Sequence, residues 1–551
     1  MDNPSHSRSD AVAYYNGKVF TVNQKQPWVT AFIVSGNGVF EAVGSDEEIL
    51  KLARQRRLVQ FNLDNMFIMP GIHDSHSHML LASLHELNEA ALNLEVGDTK
   101  IAQKLQDGHC ICSYQSVRDD WIIANTYLAP HFPDGRPDRR YLDDMFPNTP
   151  VVVREVSSHK LLVNTAALKR LNIDDSIEDP PGGTFLRRPD GTLTGEASEQ
   201  AMSRIWMALP IVPMSHVKRG LSHAVSVCHK YGITSVQEAT ATTPYLYALK
   251  ELEAENRLDL DIYTHILAAP TNLTGESEES ITRLLDIAEG FRGKHVHPQF
   301  VKFIADGAPI PPTLTQADLD DQGRTIEKHL VVGSEQLERL VRLYDSRGKT
   351  CKVHAAGQGS VRMVLNVFEK VRTANPNGPR HEIAHCNSVH PDDVKRFEGL
   401  RITAEMSPAI FDAKPAPGLE YLSSWDFAGF LETNALVTIG SDWIVTPTPN
   451  LFQVLRPVAE KIGAHFKTET QDGDGLTDLQ RGSQIVLRLL TLNGAEAVGS
   501  QHRTGSIEVG KKANFIALDR DLTKGDFVGT QVTRTWFEGR LVFSIKADHK
   551  L

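Results

Sequence analysis

Cysteine, long apolar runs and basic clusters are all scarce in this chain of 551 residues. Five cysteines are few and odd in number, which is typical of a reducing compartment rather than of a disulfide-rich secreted domain. No run of eighteen apolar residues is present, which excludes an ordinary transmembrane helix. The N-terminal segment lacks a basic region followed by an apolar one, so we expect no signal peptide. The sequence therefore predicts a cytoplasmic protein.

Charge of one sign is also never concentrated in one place. The chain carries 58 Lys and Arg against 69 Asp and Glu, a formal net charge of −11, and the excess is spread along the sequence. A protein that follows a phosphate backbone needs a basic stripe, so we expect no nucleic acid partner. We expect a small-molecule substrate and no membrane contact, and we leave a homodimer open as the assembly.

Short apolar runs that end in polar residues recur after residue 66. Most are separated by helical patterns, such as SEQLERLVRLYDSRG before the fifth run. Strands that alternate with helices favour a parallel sheet, and eight such units predict a closed (β/α)8 TIM barrel, an α/β fold. The eight runs are NMFIMPG, GITSVQEA, LDIYTHILA, QFVKFIADG, TCKVHAAG, HEIAHC, LRITAEM and ALVTIGSDW.

The two ends of the chain have a different pattern. Both alternate short strands with turns, and residues 11–65 contain Asn-Gly pairs that are typical of hairpins. We predict that residues 1–65 and 506–551 form a small β-sandwich beside a barrel domain of residues 66–505. About 150 residues separate the first run from the second, far more than one βα unit needs, so residues from about 95 to 215 are predicted to be an insertion over one end of the barrel.

The segment MFIMPGIHDSHSHM places three histidines and an aspartate directly after an apolar run. Side chains two residues apart on a strand share a face, so His76 and His78 point together with Asp74, and His73 points away. An isolated His-x-His is usually a surface feature, but two imidazoles on one face are also able to hold one metal ion.

Four more polar residues lie at or near the C-terminal ends of predicted strands: Lys302, His354, His385 and Asp442. Catalytic groups of barrel enzymes gather at that end of the strands. Imidazole and carboxylate groups suit zinc and similar divalent ions. The sequence therefore predicts a divalent metal site, with a structural ion pair to Asp306 as the alternative for Lys302.

In their order and spacing, these motifs resemble the metal-dependent amidohydrolase superfamily, and within it the YtcJ-like branch that includes N-substituted formamide deformylases. The resemblance covers nearly the whole chain, from MPGIHDSHSH to RTGSIEVGKKANFIAL. It implies a cofactor of one or two divalent ions, with zinc expected. It also implies a carboxylated lysine between two metals at Lys302, and a ligand that also carries protons at Asp442. The residues that match the family's metal ligands are His76, His78, Lys302, His354, His385 and Asp442.

The resemblance implies hydrolysis of a non-peptide C–N bond, in an amide or formamide, by metal-activated hydroxide with Asp442 as the proton carrier. A decarboxylase, or a hydrolase of lactones or esters, on the same site is the alternative, because the same ion polarises either kind of group. A non-enzymatic relative is the least expected, since all six ligand positions are kept. Deaminases of the superfamily usually carry Glu where this chain has Gly357, which counts against a deaminase.

His159, within the insertion, resembles a family position at which a histidine approaches the pocket. Substrate binding and a capping or surface role are both open for it. The chain departs from the branch after Lys302, where DGAPIPPTL replaces the common Asp-Gly-Ser-Leu-Gly, and after His354, where Gln358-Gly359 replaces Asp-Arg. These loops are predicted to surround the pocket, so the usual substrates of the branch are in doubt.

Overall fold

Eight parallel strands form the centre of the molecule, in a computed structural model that describes residues 11–88, 90–91, 99–108, 121–270, 274–309, 314–411, 425–466 and 475–545. Each strand pairs in parallel with the next along the chain, which confirms the predicted (β/α)8 barrel. Barrel strands 1 to 8 are Ile72–Ser77, Ile233–Ala241, Asp261–Ala269, Val296–Ile304, Thr350–Ala355, His381–His385, Ile402–Met406 and Leu436–Ile439.

The barrel closes through backbone hydrogen bonds just beyond the ends of strands 1 and 8. The His78 N–H donates to the Trp443 carbonyl over 3.1 Å, and the Asp442 N–H donates to the His76 carbonyl over 2.8 Å. Because these bonds join the two C-terminal ends, they place the His-x-His segment directly beside Asp442.

Amphipathic helices surround the strands. In the helix Ser334–Ser346, Leu337, Val341 and Tyr344 are buried at helical spacing and cover barrel strand 5. The helical pattern SEQLERLVRLYDSRG, predicted before the fifth strand, corresponds to this helix with nearly the predicted bounds. The helices around the barrel are Met79–Asn88, Met214–Lys230, Thr243–Ala254, Glu278–Ile287, Ser334–Ser346, Gln358–Ala374, Pro391–Gly399, Phe427–Glu432, Leu455–His465, Asp478–Arg488 and Gly494–Ala497.

The first barrel strand is not the apolar run that the sequence suggested. Phe67–Pro70 pairs instead with Lys18–Phe20 and Phe515–Leu518 in a different sheet. The chain then passes so close to barrel strand 2 that a Cβ on Gly71 would lie 2.2 Å from the Thr234 hydroxyl oxygen. The barrel strand follows as the polar segment Ile72–Ser77, which is fully buried. The prediction was wrong because apolar content was used to locate the strand.

Both chain ends contribute to the small β-sandwich. Its two sheets pack around aromatic side chains that include Tyr14, Phe32, Phe515 and Trp536. One predicted Asn-Gly hairpin is present between Ala31–Val34 and Phe40–Gly44, whereas the other Asn-Gly pair leads the chain from one sheet to the other. The strands are Phe40–Gly44, Ala31–Val34, Val12–Tyr15 and Val59–Asn62 in one sheet, and Arg540–Ser544, Val532–Phe537, Phe515–Leu518, Phe67–Pro70, Lys18–Phe20 and Trp28–Val29 in the other; the helix Asp46–Arg56 packs on the first.

The segment between barrel strands 1 and 2 forms a further, six-stranded sheet with its own apolar core. Its helices are Ile101–Gly108, Arg140–Asp143, Thr165–Arg170 and Ser203–Trp206. Its strands, in spatial order, are Gly183–Arg187, Leu193–Glu199, Lys160–Val163, Val151–Glu155, Ile122–Tyr127 and Ala90–Ala91.

Two further observations concern cysteines and membranes. Cys228, Cys351 and Cys386 are buried and free, while Cys110 and Cys112 lie outside the described residues. Within the described part of the chain, no helix has both the length and the apolar character that crossing a bilayer requires.

Candidate metal centre

A cavity of about 130 Å³ opens at the C-terminal ends of the barrel strands. All six side chains predicted as metal ligands line it, although they come from five different strand ends. The cavity wall also includes apolar side chains, among them Leu81, Met202, Trp206, Ile304 and Ile444. Residues 310–313, in the loop after Lys302 whose sequence departs from the family, lie outside the described residues.

His76, His78 and Asp442 form the tightest group in the cavity. The Asp442 Oδ1 atom lies 3.7 Å from Nε2 of His76 and 3.3 Å from Nε2 of His78. One ligand atom from each residue lies within 4.8 Å of the other two. Asp442 Oδ1 is buried and has no hydrogen-bond partner among the residues that the structure describes, which is unusual for a carboxylate oxygen. This donor set fits a divalent cation, because a buried anionic oxygen and two imidazole nitrogens face the same point.

His354 and His385 complete a ring of imidazoles. The His385 ring centroid lies 4.5 Å from the centroids of both His76 and His354. His354 Nε2 is 3.2 Å from the Gly307 carbonyl oxygen, to which it donates a hydrogen bond. The structure therefore brings His354 into the cavity, but among the described residues it belongs to neither group of closely spaced ligand atoms.

Burial lowers the pKa of His76, His354 and His385 well below the usual value of an imidazole. These three rings are therefore neutral near pH 7. Neutral imidazole is the form that binds a metal through a nitrogen lone pair.

Lys302 is buried in the same cavity, with its Nζ atom 3.4 Å from Nε2 of His76. Burial first, and then the nearby ammonium group of Lys352, lower the pKa of Lys302 to about 7. The alternative ion pair with Asp306 is not what the structure shows. Asp306 instead accepts hydrogen bonds from three backbone N–H groups and from the Ser360 hydroxyl.

Two candidate ligands have unusual backbone conformations. His385 has a φ angle of 74° and Asp442 a φ angle of 51°, in the left-handed region that favours glycine. Such strain costs on the order of 1–3 kcal/mol per residue and persists where the surrounding structure enforces it, often at functional sites.

The structure places His159 in the cavity wall, with its ring centroid 5.3 Å from that of His354. Its Nδ1 atom lies 3.1 Å from the Glu199 carboxylate. Burial alone would lower the pKa of His159, but the charge and hydrogen bond of Glu199 outweigh it and raise the pKa. His159 reaches the cavity from the insertion, while its role as a substrate-binding residue stays a prediction.

His73 lies apart from the candidate ligands. Its ring packs against Tyr263 with centroids 5.5 Å apart, and its Nε2 atom lies 3.3 Å from the Gln237 side chain.

Glu405, on barrel strand 7, is the polar residue that the sequence reasoning missed. Its Oε2 atom lies 2.8 Å from Nδ1 of His76, and it forms a second group of closely spaced ligand atoms with His76 and His385. Burial raises the pKa of Glu405 to about 7. The signal was present, because Glu405 lies next to the last residue of the run LRITAEM.

Comparisons with known proteins agree with this geometry. Residues 60–543 match the amidohydrolase family. The putative amidohydrolase YtcJ of Bacillus subtilis (strain 168) is 22% identical over 96% of this chain and 99% of its own length. The N-substituted formamide deformylase of Arthrobacter pascens is 23% identical over 96% and 97%.

The fold is shared with solved structures as well. An uncharacterized metal-dependent hydrolase from Pyrococcus horikoshii OT3 superposes with a TM-score of 0.68 at 19% identity, over 94% of this chain and 100% of that one. The family match extends over most of this chain, from the last strand of one sandwich sheet to the last strand of the other. The chain belongs to the amidohydrolase family and is a hydrolase, as the sequence motifs predicted.

Proposed function

We propose that this hydrolase cleaves an amide or formamide C–N bond in a small molecule and that it depends on a divalent metal, with zinc as the expected ion. His76, His78 and Asp442 would hold the ion, and Lys302, His354 and His385 would complete its surroundings. The buried Asp442 Oδ1 atom is the observation that supports this proposal most directly: it faces Nε2 of both His76 and His78 and has no hydrogen-bond partner in the described ranges of the chain.

A divalent ion at such a site lowers the pKa of water towards about 7 and polarises a carbonyl group. We assign proton transfer to Asp442, because its side chain lines the cavity and is 6% exposed. We propose that it accepts a proton from the attacking water and later passes it to the leaving nitrogen. His159, which lines the cavity from the insertion, would contact the substrate.

The cavity supports a small, mostly uncharged substrate. A site of about 130 Å³ is close in size to an engineered cavity of about 150 Å³ that accepts benzene. Apolar side chains, such as those of Met202, Trp206 and Ile304, form much of its wall. A relative named as an N-substituted formamide deformylase adds weight to formamides.

Lys302 is proposed to carry a carboxyl group on its amine and to bridge two ions. Carbamate formation requires the uncharged amine, and a pKa near 7 keeps a large fraction of the amine uncharged at neutral pH. Replacement of Lys302 by Ala would then lower metal content mainly at the second position, and an unchanged metal content would contradict the bridging role.

The experiment measures metal content and turnover on the same preparations. The wild-type protein is assayed against N-substituted formamides and amides, and against esters and lactones of matching size. The combined His76→Ala and His78→Ala variant should lose bound metal and turnover together. A matched control replaces His465 and His502, two exposed histidines outside the cavity, by Ala and should keep both.

Full metal content or full turnover in the His76 and His78 double variant would contradict the proposed metal site. Turnover of esters or lactones without turnover of amides would leave the metal site but assign it to the alternative reaction.

A further inference from the structure

Glu405 is hydrogen-bonded to two candidate ligands at once. Its Oε2 atom is 2.8 Å from Nδ1 of His76 and 3.1 Å from the backbone nitrogen of His385. Its Oε1 atom accepts a hydrogen bond from the Ser407 hydroxyl over 2.8 Å. Glu405 is completely buried, and among the described residues these three donors contact its carboxylate.

The contact with His76 fixes which ring nitrogen of that histidine carries the hydrogen. In its ionised form the Glu405 carboxylate only accepts hydrogen bonds, and this form places the hydrogen on Nδ1 of His76. The other nitrogen, Nε2, then keeps its lone pair. The Lys302 amine, a hydrogen-bond donor, lies 3.4 Å from Nε2 of His76, as expected if that nitrogen carries a lone pair.

Ser407 fixes the tautomer of His385 in a similar way. A hydroxyl has one hydrogen to donate, and the Ser407 hydroxyl donates it to Glu405. The Ser407 oxygen, 3.3 Å from Nδ1 of His385, must therefore accept a hydrogen bond from that nitrogen. His385 is thus also protonated on Nδ1, with the lone pair of Nε2 free.

The backbone contact has a second consequence. His385 adopts the positive φ angle of 74°, which is costly for a residue with a side chain. The hydrogen bond from its backbone N–H to Glu405 stabilises that conformation.

We infer that Glu405, with Ser407, is a positioning residue that sets the tautomers of His76 and His385 together, so that the Nε2 atoms of both rings present lone pairs to the proposed metal centre. The inference rests on the proposed metal site. Histidine ligands of metals commonly donate their second ring N–H to a carboxylate, and loss of that partner costs about 10- to 100-fold in metal affinity.

A competing interpretation makes Glu405 a metal ligand itself, since it lies close to both histidines. Its hydrogen bonds argue against this. Two donors already share Oε2 and a third holds Oε1, so a metal would have to displace them. The two interpretations differ in what happens to the histidine tautomers when no metal is present.

The Glu405→Gln variant distinguishes a positioning role of Glu405 from a role as metal ligand. A glutamine has one oxygen and one NH₂ group, so it cannot accept from all three donors. If its NH₂ group faces Ser407, the hydroxyl turns to donate to His385, and the tautomer of His385 changes. If the NH₂ group faces His76, the tautomer of His76 changes. Ser407→Ala removes only the link to His385 and serves as the second, milder variant.

The tautomers are measured in the metal-free full-length protein by nitrogen NMR with labelled histidine, with assignments from His76→Gln and His385→Gln. The zinc dissociation constant is measured by competition with a chelator. In Glu405→Gln, we expect one of the two tautomers to change and zinc affinity to fall about 10- to 100-fold. In Ser407→Ala, we expect a change at His385 alone and a smaller loss.

Unchanged tautomers in both variants would overturn the inference. Weaker zinc binding with unchanged tautomers would also overturn it, in favour of Glu405 as a ligand. A wild-type protein that binds no zinc would instead contradict the proposed function, while the tautomer measurement would still decide the role of Glu405.

Discussion

Two clusters of buried charge lie at opposite ends of the barrel. The candidate metal centre lies at the C-terminal ends of the strands. At the other end, Lys512 joins Asp261 with Nζ–O distances of 2.7 and 2.9 Å and reaches Glu538 at 3.2 Å. His295 adds a contact to Asp261 of 3.0 Å between Nδ1 and Oδ1. This second group, named here the basal ionic cluster, connects the barrel to the C-terminal part of the sandwich.

The clusters contain the same residue types but differ in how their charges are balanced. Burial would raise the pKa of Asp261, yet Lys512 and His295 outweigh it and hold the pKa far below the usual range. Within the described part of the chain, no Lys or Arg forms an ion pair with Asp442, and its Oδ1 atom has no hydrogen-bond partner. In the basal ionic cluster the negative charge of Asp261 is already paired with cationic side chains, so the cluster needs no further ligand. The buried charge of Asp442 is not paired in this way and requires a cation from solution. This difference predicts that the first cluster supports stability and the second supports catalysis.

The largest expected effect is that of Asp442→Asn on the reaction rate. Asparagine keeps the size and one oxygen of the side chain, but it does not act as a base near neutral pH. We expect turnover to fall roughly 10²- to 10⁴-fold, the usual range for a general acid–base group. Metal content, turnover and the free energy of unfolding are measured on one preparation.

A turnover rate near that of the wild type in Asp442→Asn, with full metal content, would contradict the catalytic role that the comparison assigns to Asp442. Asp442 would then be at most a ligand. Asp261→Asn is the matched control for this variant, since it makes the same chemical change in the basal ionic cluster and should leave turnover per folded molecule unchanged.

The second prediction concerns the free energy of unfolding of Asp261→Asn. Removing one partner of a buried ion pair leaves the other charge uncompensated and costs about 3–5 kcal/mol. Glu538 remains beside Lys512, so we expect the lower part of that range. Urea denaturation at neutral pH measures the loss.

Adding Lys512→Met to Asp261→Asn should recover part of this stability, because the uncompensated ammonium group is removed as well. A double variant that is less stable than Asp261→Asn alone would show that the cluster is not held by this pair.

The sequence predicted the barrel and the convergence of its polar strand ends because both depend on local patterns. Alternating strands and helices, and polar residues at the ends of several strands, can be counted along the chain. Strand 1 could not be located in this way, since the buried strand Ile72–Ser77 is polar and the apolar run before it belongs to the sandwich.

The role of Glu405 could not be read from its surroundings in the sequence. Its partner His76 lies 329 residues away, so no local pattern connects them. The pairing of His159 with Glu199 depends on the fold of the insertion in the same way. Long-range contacts of this kind exist only after the sheets have formed.

The last and smallest prediction uses His297, a buried histidine outside the candidate metal centre. Its ring stacks on Tyr263 with centroids 4.6 Å apart. Among the described residues it forms no ion pair, and its Nε2 atom has no hydrogen-bond partner. Burial lowers the pKa of His297 to about 4. Its pKa in the unfolded chain is about 6.5. As pH falls from 6.5 to 4, the unfolded chain therefore binds a proton that the folded protein does not, and the folded state loses stability.

This linkage amounts to roughly 2–3 kcal/mol, fully present above pH 6.5 and lost as the pH approaches about 4. His297→Phe keeps a ring against Tyr263 and removes the titrating group. Urea denaturation of both proteins from pH 7.5 to 4 gives the difference in their unfolding free energies at each pH. We expect the wild type to lose stability relative to His297→Phe as pH falls. Both proteins keep the metal centre and the basal ionic cluster, so the titration of those groups affects both curves alike, apart from the smaller electrostatic effects of Asp261 and Lys512 on His297 itself. Parallel curves would mean that His297 titrates alike in the folded and unfolded states, and that burial does not hold this histidine neutral.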